Sequence, residues 1–307
     1  MAHSIFIDGA AGTTGLEIAE RLAGRAEFTL VTLPEDRRKD DAARAEALND
    51  ADFVILCLPD DAARAAVGMI RNDRTRVIDA SSAYRTAPDW AYGFPEIVGH
   101  DRVASAMRVS NPGCYPSGFI ALVAPLIRAG LLPAQWPYVC HAVSGYSGGG
   151  KALIARFEAD ADIAFRAYGL ALGHKHVPEM VAHAGLTHEP IFAPAVVPAH
   201  RGMLVEVPVH LAMMPAAASP DALRAALAEF YAASPVVQVV DDQPDELLLR
   251  GSMAPVDSLT LRVLGSADGT QARLVAMLDN LGKGASGAAV QNLNIMAGLD
   301  ETAGLRL

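Results

Sequence analysis

The sequence has little cysteine and no long apolar run. Its three cysteines are an odd number with no CxxC pair, so we expect neither a disulfide framework nor a cysteine-rich zinc site. No apolar stretch approaches the ~20 residues that a membrane helix requires. The N-terminus enters the apolar segment 4–7 without a basic region and a cleavage site. We therefore expect no membrane association and a cytoplasmic location.

Positive charge is also scarce. The chain has 25 Lys and Arg against 35 Asp and Glu, a formal net charge of −10. Binding to nucleic acid needs a cationic face, so we expect no nucleic-acid partner, and an anionic ligand must be held locally. The composition, 51% hydrophobic and 20% charged, is that of an ordered globular protein, and 307 residues favour two domains.

Strand and helix signals alternate in the first third of the chain. This alternation predicts a parallel sheet with helices on both faces. Predicted strands are 4–7, 28–33, 53–58 and 76–79, and predicted helices are 16–23, 42–48 and 62–70.

The later part of the chain has a different pattern. Predicted strands are 139–143, 202–211, 258–264 and 271–278, and predicted helices are 119–129, 221–232 and 284–298. The expected fold class is α/β, a Rossmann-type dinucleotide-binding domain with a second α+β catalytic and oligomerisation domain. We place the first domain at 1–114 plus about 283–307, and the second at 115–282.

A glycine turn follows the first predicted strand. Gly9, Gly12 and Gly15, with Thr13 and Thr14 between the last two, stand between a strand and a helix, as in a dinucleotide fold. Glycine lets the backbone turn tightly and approach a pyrophosphate, and a helix N-terminus favours negative charge. The spacing is GxxGxxG rather than GxGxxG, so a tight turn without a ligand is the alternative.

A charged segment follows the second predicted strand. Glu35 and Asp36 suit a free ribose hydroxyl, whereas Arg37, Arg38 and Lys39 suit a 2′-phosphate. The cationic run favours NADPH over NADH. A solvated charged loop is the alternative.

Cys114 lies in the turn 110–116, just after Pro-Gly and just before a helical run that begins near Ser117. A thiol near a helix N-terminus has a lowered pKa and is a candidate nucleophile. Cys57 and Cys140 lie in apolar strands, where a free cysteine is a small buried side chain.

Two histidines lie close together in the segment 173–179. His174 and His176 are suited to acid–base chemistry at neutral pH beside a thiolate. Two imidazoles two residues apart on a strand could also bind a metal. No second ligand cluster is visible in the sequence, so we expect no metal.

These motifs together resemble the N-acetyl-γ-glutamyl-phosphate reductase family of arginine biosynthesis in its shorter form. Aspartate-semialdehyde dehydrogenases are relatives of that family. The likeness covers nearly the whole chain. Besides the glycine turn, the Cys turn and the His segment, it is carried by the segments 58–61, 79–85, 144–151, 280–285 and 290–292.

The resemblance implies an acyl phosphate substrate, attack by Cys114, loss of phosphate, and reduction of the thioester by NADPH. It makes His176 the acid or base, with His174 as the second candidate. It implies a cofactor site at Gly9, Gly12, Thr13, Thr14, Gly15, Arg37, Arg38, Pro59 and Asn292. It implies a substrate site at Arg85, Lys151, His174, Ser144 and Gly145.

Two positions depart from the family's cysteine signature. Ser117 stands where threonine is usual, and Leu122 stands where a small residue is expected. Both departures bear on the subgroup of the family to which the chain belongs and not on the reaction. Serine keeps the hydroxyl of threonine, and neither residue takes part in the chemistry.

Two other functions remain open from the sequence. One is reduction of a related acyl phosphate, aspartyl or aminoadipyl, which differs only in the substrate pocket. The other is a nucleotide-sensing protein without catalysis, which would lack the thiol or the histidine segment. By the resemblance we also expect a homo-oligomer, a dimer or a tetramer.

Overall fold

The computed structural model describes residues 2–216 and 218–307. The strands are β1 His3–Asp8, β2 Phe28–Val31, β3 Phe53–Leu56, β4 Arg76–Asp79, β5 Ala91–Tyr92, β6 Arg108–Ser110, β7 Val139–Gly145, β8 Arg166–Ala167, β9 Ile191–Val197, β10 Met203–His210, β11 Val237–Val239, β12 Leu259–Gly265 and β13 Gln271–Leu278. The α-helices are α1 Thr13–Leu22, α2 Asp41–Asp50, α3 Asp60–Met69, α4 Pro95–Val98, α5 His100–Ser105, α6 Cys114–Arg128, α7 Gly150–Ala159, α8 Val177–Ala184, α9 Pro220–Phe230 and α10 Gly287–Met296.

The chain divides into two compact units. Unit 1 comprises Met1–Pro112 and Ala285–Leu305, and unit 2 comprises Gly113–Gly284 and Arg306–Leu307. Within residues 2–216 and 218–307, no helix has the length and the apolar character needed to cross a membrane.

Unit 1 contains a parallel sheet with the strand order β2-β1-β3-β4-β6-β5. All four residues of β3 are buried, which is why its sequence is a continuous apolar run rather than an alternating one. Ile55 belongs to an apolar cluster with Leu293 of α10, and Val54 belongs to a second cluster with Ala63 of α3. The sheet therefore has a core on each face.

Unit 2 contains a mixed sheet with the order β11-β12-β13-β10-β7-β9-β8. Along β10, buried residues such as Val205 and Val207 alternate with partly exposed ones, so one face of this strand is packed. Helix α6 approaches that face closely, because a Cβ at Gly118 would lie 2.7 Å from Cγ2 of Val205. The predicted fold class, a Rossmann-type unit followed by an α+β unit, is confirmed by these two sheets.

Several element boundaries differ from the sequence predictions. Helix α6 begins at Cys114, earlier than the run predicted from Ser117. Pro116 is compatible with this start, because a first-turn residue has no intrahelical bond for its N–H to make. The C-terminal helical segment begins as a π-helix, Gly282–Ser286, before α10. Strand β9 and helix α7 were not predicted.

Candidate active site

In the glycine turn of unit 1, two of the glycines have no room for a side chain. Gly9 has φ +89°, and a Cβ there would lie 2.3 Å from the carbonyl oxygen of Cys57. A Cβ at Gly15 would lie 2.6 Å from the carbonyl oxygen of Gly9. Both positions therefore require glycine for close backbone approach.

Helix α1 begins directly after this turn. Gly12 is its N-cap residue and has no side chain to cap the first turn, where Thr13 and Thr14 stand half-buried. Backbone N–H groups at a helix N-terminus bind anions such as a pyrophosphate. The turn thus has the form that a dinucleotide needs.

A buried amide in α10 provides a second test of that fit. Asn292 is fully buried, and its Nδ2 donates to the carbonyl oxygen of Gly93 at 2.9 Å and to Oδ1 of Asn111 at 3.1 Å. Its Oδ1 is buried and has no donor among the residues that the structure describes. A buried acceptor of this kind suits a donor carried by a ligand. The residues of unit 1 therefore fit a nicotinamide dinucleotide.

The remaining predicted cofactor residues are exposed. Arg37 ends a 3₁₀ turn after β2, and Arg38 forms an ion pair with Glu35 at 3.4 Å. Pro59 is the N-cap of α3, just after β3. An exposed ion pair contributes little to stability, so Arg38 can exchange Glu35 for another anion at small cost.

Arg85 is a buried residue of unit 1 rather than a surface ion-pair residue. Its Nε donates to the carbonyl oxygen of Asn111 at 3.0 Å, and its Nη2 donates to that of Ala80 at 3.3 Å. Asn111 itself donates through Nδ2 to the carbonyl oxygen of Ala285 at 2.9 Å. Arg85 therefore holds the segment that leads to the cysteine turn. No sequence pattern had indicated a role for Asn111.

Cys114 is the first residue of α6 in unit 2 and is partly exposed. Gly284 lies against it, since a Cβ at that glycine would be 2.9 Å from Cβ of Cys114. A thiolate in the first turn of a 15-residue helix is stabilised by the helix dipole and nearby N–H groups.

The two other cysteines have different surroundings. Burial, followed by the charges of Asp79 and Asp8, raises the pKa of Cys57 to about 12. Burial, followed by the charge of Glu206, also raises the pKa of Cys140. Both are protonated at neutral pH, as expected for small apolar side chains.

His174 and His176 lie side by side in unit 2, with ring centroids 4.7 Å apart. Nδ1 of His174 accepts the backbone N–H of His176 at 3.1 Å, which fixes the proton of a neutral His174 on Nε2. Burial and then Lys175 lower the pKa of His174, so it is neutral at pH 7. His176 is buried and is the N-cap residue of α8. The structure thus gives the two imidazoles different environments.

Aromatic rings surround this histidine pair. Tyr115, the residue after the cysteine, has its ring centroid 5.9 Å from that of His176, and Tyr168 has its ring centroid 5.6 Å from that of His174. Burial raises the pKa of Tyr168 to about 12 and raises that of Tyr115 further, with Cys114 among the neighbours of both. Both phenols are therefore neutral. Sequence reasoning missed them because their proximity depends on the fold of unit 2.

A glutamate connects the histidine segment with the cysteine turn. Glu179, in the first turn of α8, is buried, and its Oε1 accepts the N–H of Gly113 at 2.7 Å. Gly113 is the N-cap residue of α6. The sequence motif contained Glu179, but nothing in the sequence indicated this bond.

The other predicted substrate residues lie after β7. Ser144 is buried and donates through Oγ to the carbonyl oxygen of Gly145 at 2.9 Å. A Cβ at Gly145 would lie 2.7 Å from the carbonyl oxygen of Ala199. Lys151 is exposed on α7. No cluster of three possible metal ligands occurs among the residues that the structure describes.

Two family models match the chain, one that ends before Cys114 and one that begins at it. Residues 4–106 match the semialdehyde dehydrogenase NAD binding domain, and residues 114–280 match the semialdehyde dehydrogenase dimerisation domain. A crystal structure of aspartate semialdehyde dehydrogenase II from Vibrio cholerae has the same fold, with a TM-score of 0.69 and 17% identity over 97% of this chain and 99% of that one. The two family models place the chain in the semialdehyde dehydrogenase class.

Relatives with higher sequence identity identify the family within this class. An N-acetyl-gamma-glutamyl-phosphate reductase of Burkholderia lata is 53% identical over 98% of both chains. An N-acetyl-gamma-glutamyl-phosphate reductase 2 of a Nostoc species is 48% identical, also over 98% of both. The chain belongs to the N-acetyl-gamma-glutamyl-phosphate reductase family, which confirms the resemblance drawn from its motifs.

Proposed function

We propose that the protein reduces N-acetyl-γ-glutamyl phosphate to N-acetylglutamate semialdehyde and phosphate with NADPH, in arginine biosynthesis. The observation that carries the proposal is the placement of a partly exposed thiol, Cys114, at the start of α6 in a chain about half identical to reductases of that name. The covalent route and the residue roles below are our proposals.

Cys114 is the nucleophile. Its sulfur forms a bond to the acyl carbon while the bond from that carbon to the phosphate oxygen breaks, which leaves a thioester and free phosphate. The N-terminal turn of α6 favours the thiolate for this attack.

His176 is the acid–base group. It takes the proton of the thiol and gives it to the departing phosphate. After reduction, the alkoxide on the former acyl carbon collapses to the aldehyde, the carbon–sulfur bond breaks, and the thiolate returns. His176 then regains a proton from solvent, so the cycle consumes one proton. His174 is neutral with its proton on Nε2, which makes it a donor toward substrate oxygen.

Unit 1 holds the dinucleotide. Gly9, Gly12 and Gly15 with Thr13 and Thr14 bind the pyrophosphate. Arg37 and Arg38 bind the 2′-phosphate through charge and hydrogen bonds. Pro59 and Asn292 line the nicotinamide, with the buried Oδ1 of Asn292 as an acceptor for its amide. When bound, the reduced nicotinamide supplies the hydride to the thioester carbon.

The anionic ends of the substrate need cations and donors. We propose Lys151 and Arg85 as the cations, and Ser144 and Gly145 as the wall beside them. Two donor groups of Arg85 already bond to backbone carbonyls, so its role includes holding Asn111 in place.

We also propose a cytoplasmic homo-oligomer. Cys57, Cys114 and Cys140 are all free thiols, which suits a reducing compartment and a reaction that needs a reduced cysteine. The match of residues 114–280 to a dimerisation domain supports self-association. Light scattering on the eluting peak of a size-exclusion column measures the number of chains.

Mass spectrometry after brief exposure to the acyl phosphate, with no cofactor present, tests the function. We expect an N-acetylglutamyl adduct on the peptide that carries Cys114, and none in Cys114→Ser. The variant should lose turnover by on the order of a thousandfold or more while its affinity for NADPH is nearly unchanged. Substantial turnover by the variant would refute the covalent route.

Aspartyl and aminoadipyl phosphates, given separately, test the substrate. The family membership predicts that both are poor substrates beside the N-acetylglutamyl compound. Turnover of one of them with failure of the N-acetylglutamyl compound would replace the proposed substrate.

A further inference from the structure

Glu179 is a buried acid that the mechanism above does not use. Its side chain is 1% exposed, and Oε1 accepts the N–H of Gly113 at 2.7 Å. The next residue in the chain is Cys114, the first of α6. A carboxylate from one helix is thus bonded to the residue before the thiol of another, within unit 2.

This bond is made at the N-cap position of α6. Gly113 is the N-cap residue of α6 with an extended backbone, φ −74° and ψ 151°, and it has no side chain that could cap the helix. Burying a carboxylate is unfavourable unless it is hydrogen-bonded. A hydrogen bond from a backbone N–H to a side-chain oxygen has a preferred distance and direction. The carboxylate therefore supplies an orienting contact that glycine cannot supply for itself.

Glu179 also lies close to the histidines along the chain. It is the third residue of α8, and His176 is the N-cap residue of that helix. A change in the distance between the first turn of α8 and the N–H of Gly113 would therefore also change the distance between imidazole and thiol. A displacement of about 1 Å between reacting groups can reduce a rate on the order of a hundredfold.

We propose that Glu179 is a positioning residue. Its carboxylate oxygen, acting as a hydrogen-bond acceptor, fixes the cysteine turn to the first turn of α8 and so sets the placement of Cys114 relative to His176. The proposal rests on the proposed function for its effect on rate, but the bond itself does not depend on it.

Three substitutions separate the hydrogen bond from the charge. Glu179→Gln keeps an oxygen acceptor at the same reach and removes the charge. Glu179→Asp keeps the charge on a side chain one methylene shorter, and Glu179→Ala removes both. Glu206→Gln is the control, because Glu206 pairs with Arg273 on β13 and lies in the same unit.

Two readouts are measured on the full-length protein. Steady-state kinetics should show kcat within about threefold of wild type for Gln, and a fall of roughly 30-fold or more for Asp and Ala, with KM changed by less than about twofold. Hydrogen–deuterium exchange of the peptide that contains Gly113, without cofactor, should be faster in Asp and Ala and unchanged in Gln and in the control.

If Asp or Ala folds poorly, the Gln variant still tests the proposal. A kcat reduced roughly 30-fold or more in Gln would show that charge matters rather than the bond, and it would overturn the proposal. Wild-type kcat in all three would overturn it too. If wild type formed no adduct on Cys114, the proposed function would fall, whereas the exchange data would still report on the bond.

Discussion

The three thiols of this chain have three different environments, and their reactivity should follow. Cys114 lies at a helix N-terminus, whereas Cys57 packs beside the apolar core of unit 1 and Cys140 is buried in β7. With its pKa raised to about 12, Cys57 is ionised to only about one part in ten thousand at pH 8. The thiolate is the form that reacts with an alkylating agent.

We therefore expect iodoacetamide at pH 8 to label one cysteine of the native protein rapidly, and peptide mapping to place the label on Cys114. Labelling of Cys57 should accelerate only above about pH 11, because its thiolate forms as the pH approaches the raised pKa. The Cys114→Ser variant should remain unlabelled on the same time scale, and guanidinium-unfolded protein should label at all three. Equal native labelling of Cys57 and Cys114 would contradict this assignment.

The histidines show the same dependence on environment at the residue scale. His174 is held neutral by burial and by Lys175, and its Nδ1 is occupied by the N–H of His176. A protonated His174 would lose that hydrogen bond, because Nδ1 would become a donor. His176 is consequently the better acid–base candidate of the two.

At the scale of elements, the turn between β1 and α1 depends on glycine for space. A Cβ at Gly15 would lie 2.6 Å from a backbone oxygen and 2.8 Å from Cα of Ala10, neither of which can rotate away. Gly68, in α3 of the same unit, has no atom within 4 Å of the corresponding position. The same substitution, glycine to alanine, can therefore be compared at a crowded position, Gly15, and at an open one, Gly68.

Gly15→Ala should destabilise the protein by about 1–3 kcal/mol and weaken NADPH binding, because the turn must move to accept the methyl group. Gly68→Ala should stabilise it by roughly 0.5–1 kcal/mol, because alanine is the better helix residue. Denaturant unfolding and fluorescence titration with NADPH measure the two effects. A Gly15→Ala variant with unchanged stability and affinity would show that the turn has room to spare.

At the scale of the whole molecule, cofactor binding is measurable as stability. A ligand at 100 times its dissociation constant stabilises the folded state by about 2.7 kcal/mol. If Arg37 and Arg38 bind the 2′-phosphate, NADPH should raise the melting temperature by roughly 5 °C or more, and NADH at the same concentration should raise it less.

Replacing both Arg37 and Arg38 by serine should make NADPH and NADH raise the melting temperature by the same amount. Arg102→Ser, at an exposed arginine of α5, should leave the difference intact. Differential scanning fluorimetry measures all of these shifts. If the double variant still responded more strongly to NADPH, the 2′-phosphate would be bound by other residues.

Much of the architecture could be predicted from the sequence. The continuous apolar run of β3, within an alternation of strand and helix signals along the first third of the chain, predicted the parallel sheet of unit 1, which the structure confirms. The start and end points of the elements were predicted less accurately than their order. Helix α6 can begin at Cys114 because its first turn has no intrahelical N–H bonds for Pro116 to disrupt, whereas Pro and Gly near a predicted helix start are ordinarily signals of a turn. The domain boundaries and the site roles stay predictions.

The local chemistry follows from the order of the residues alone: a glycine turn before a helix, a thiol after Pro-Gly, and two histidines near a glutamate. These are properties of neighbouring residues, so their spacing along the chain is sufficient to predict them. The contacts between residues far apart in the chain, such as Glu179 with Gly113 and Asn292 with Asn111, depend on how the chain folds. Buried polar groups must find hydrogen-bond partners, and the fold, rather than the adjacent sequence, determines which partners lie within reach.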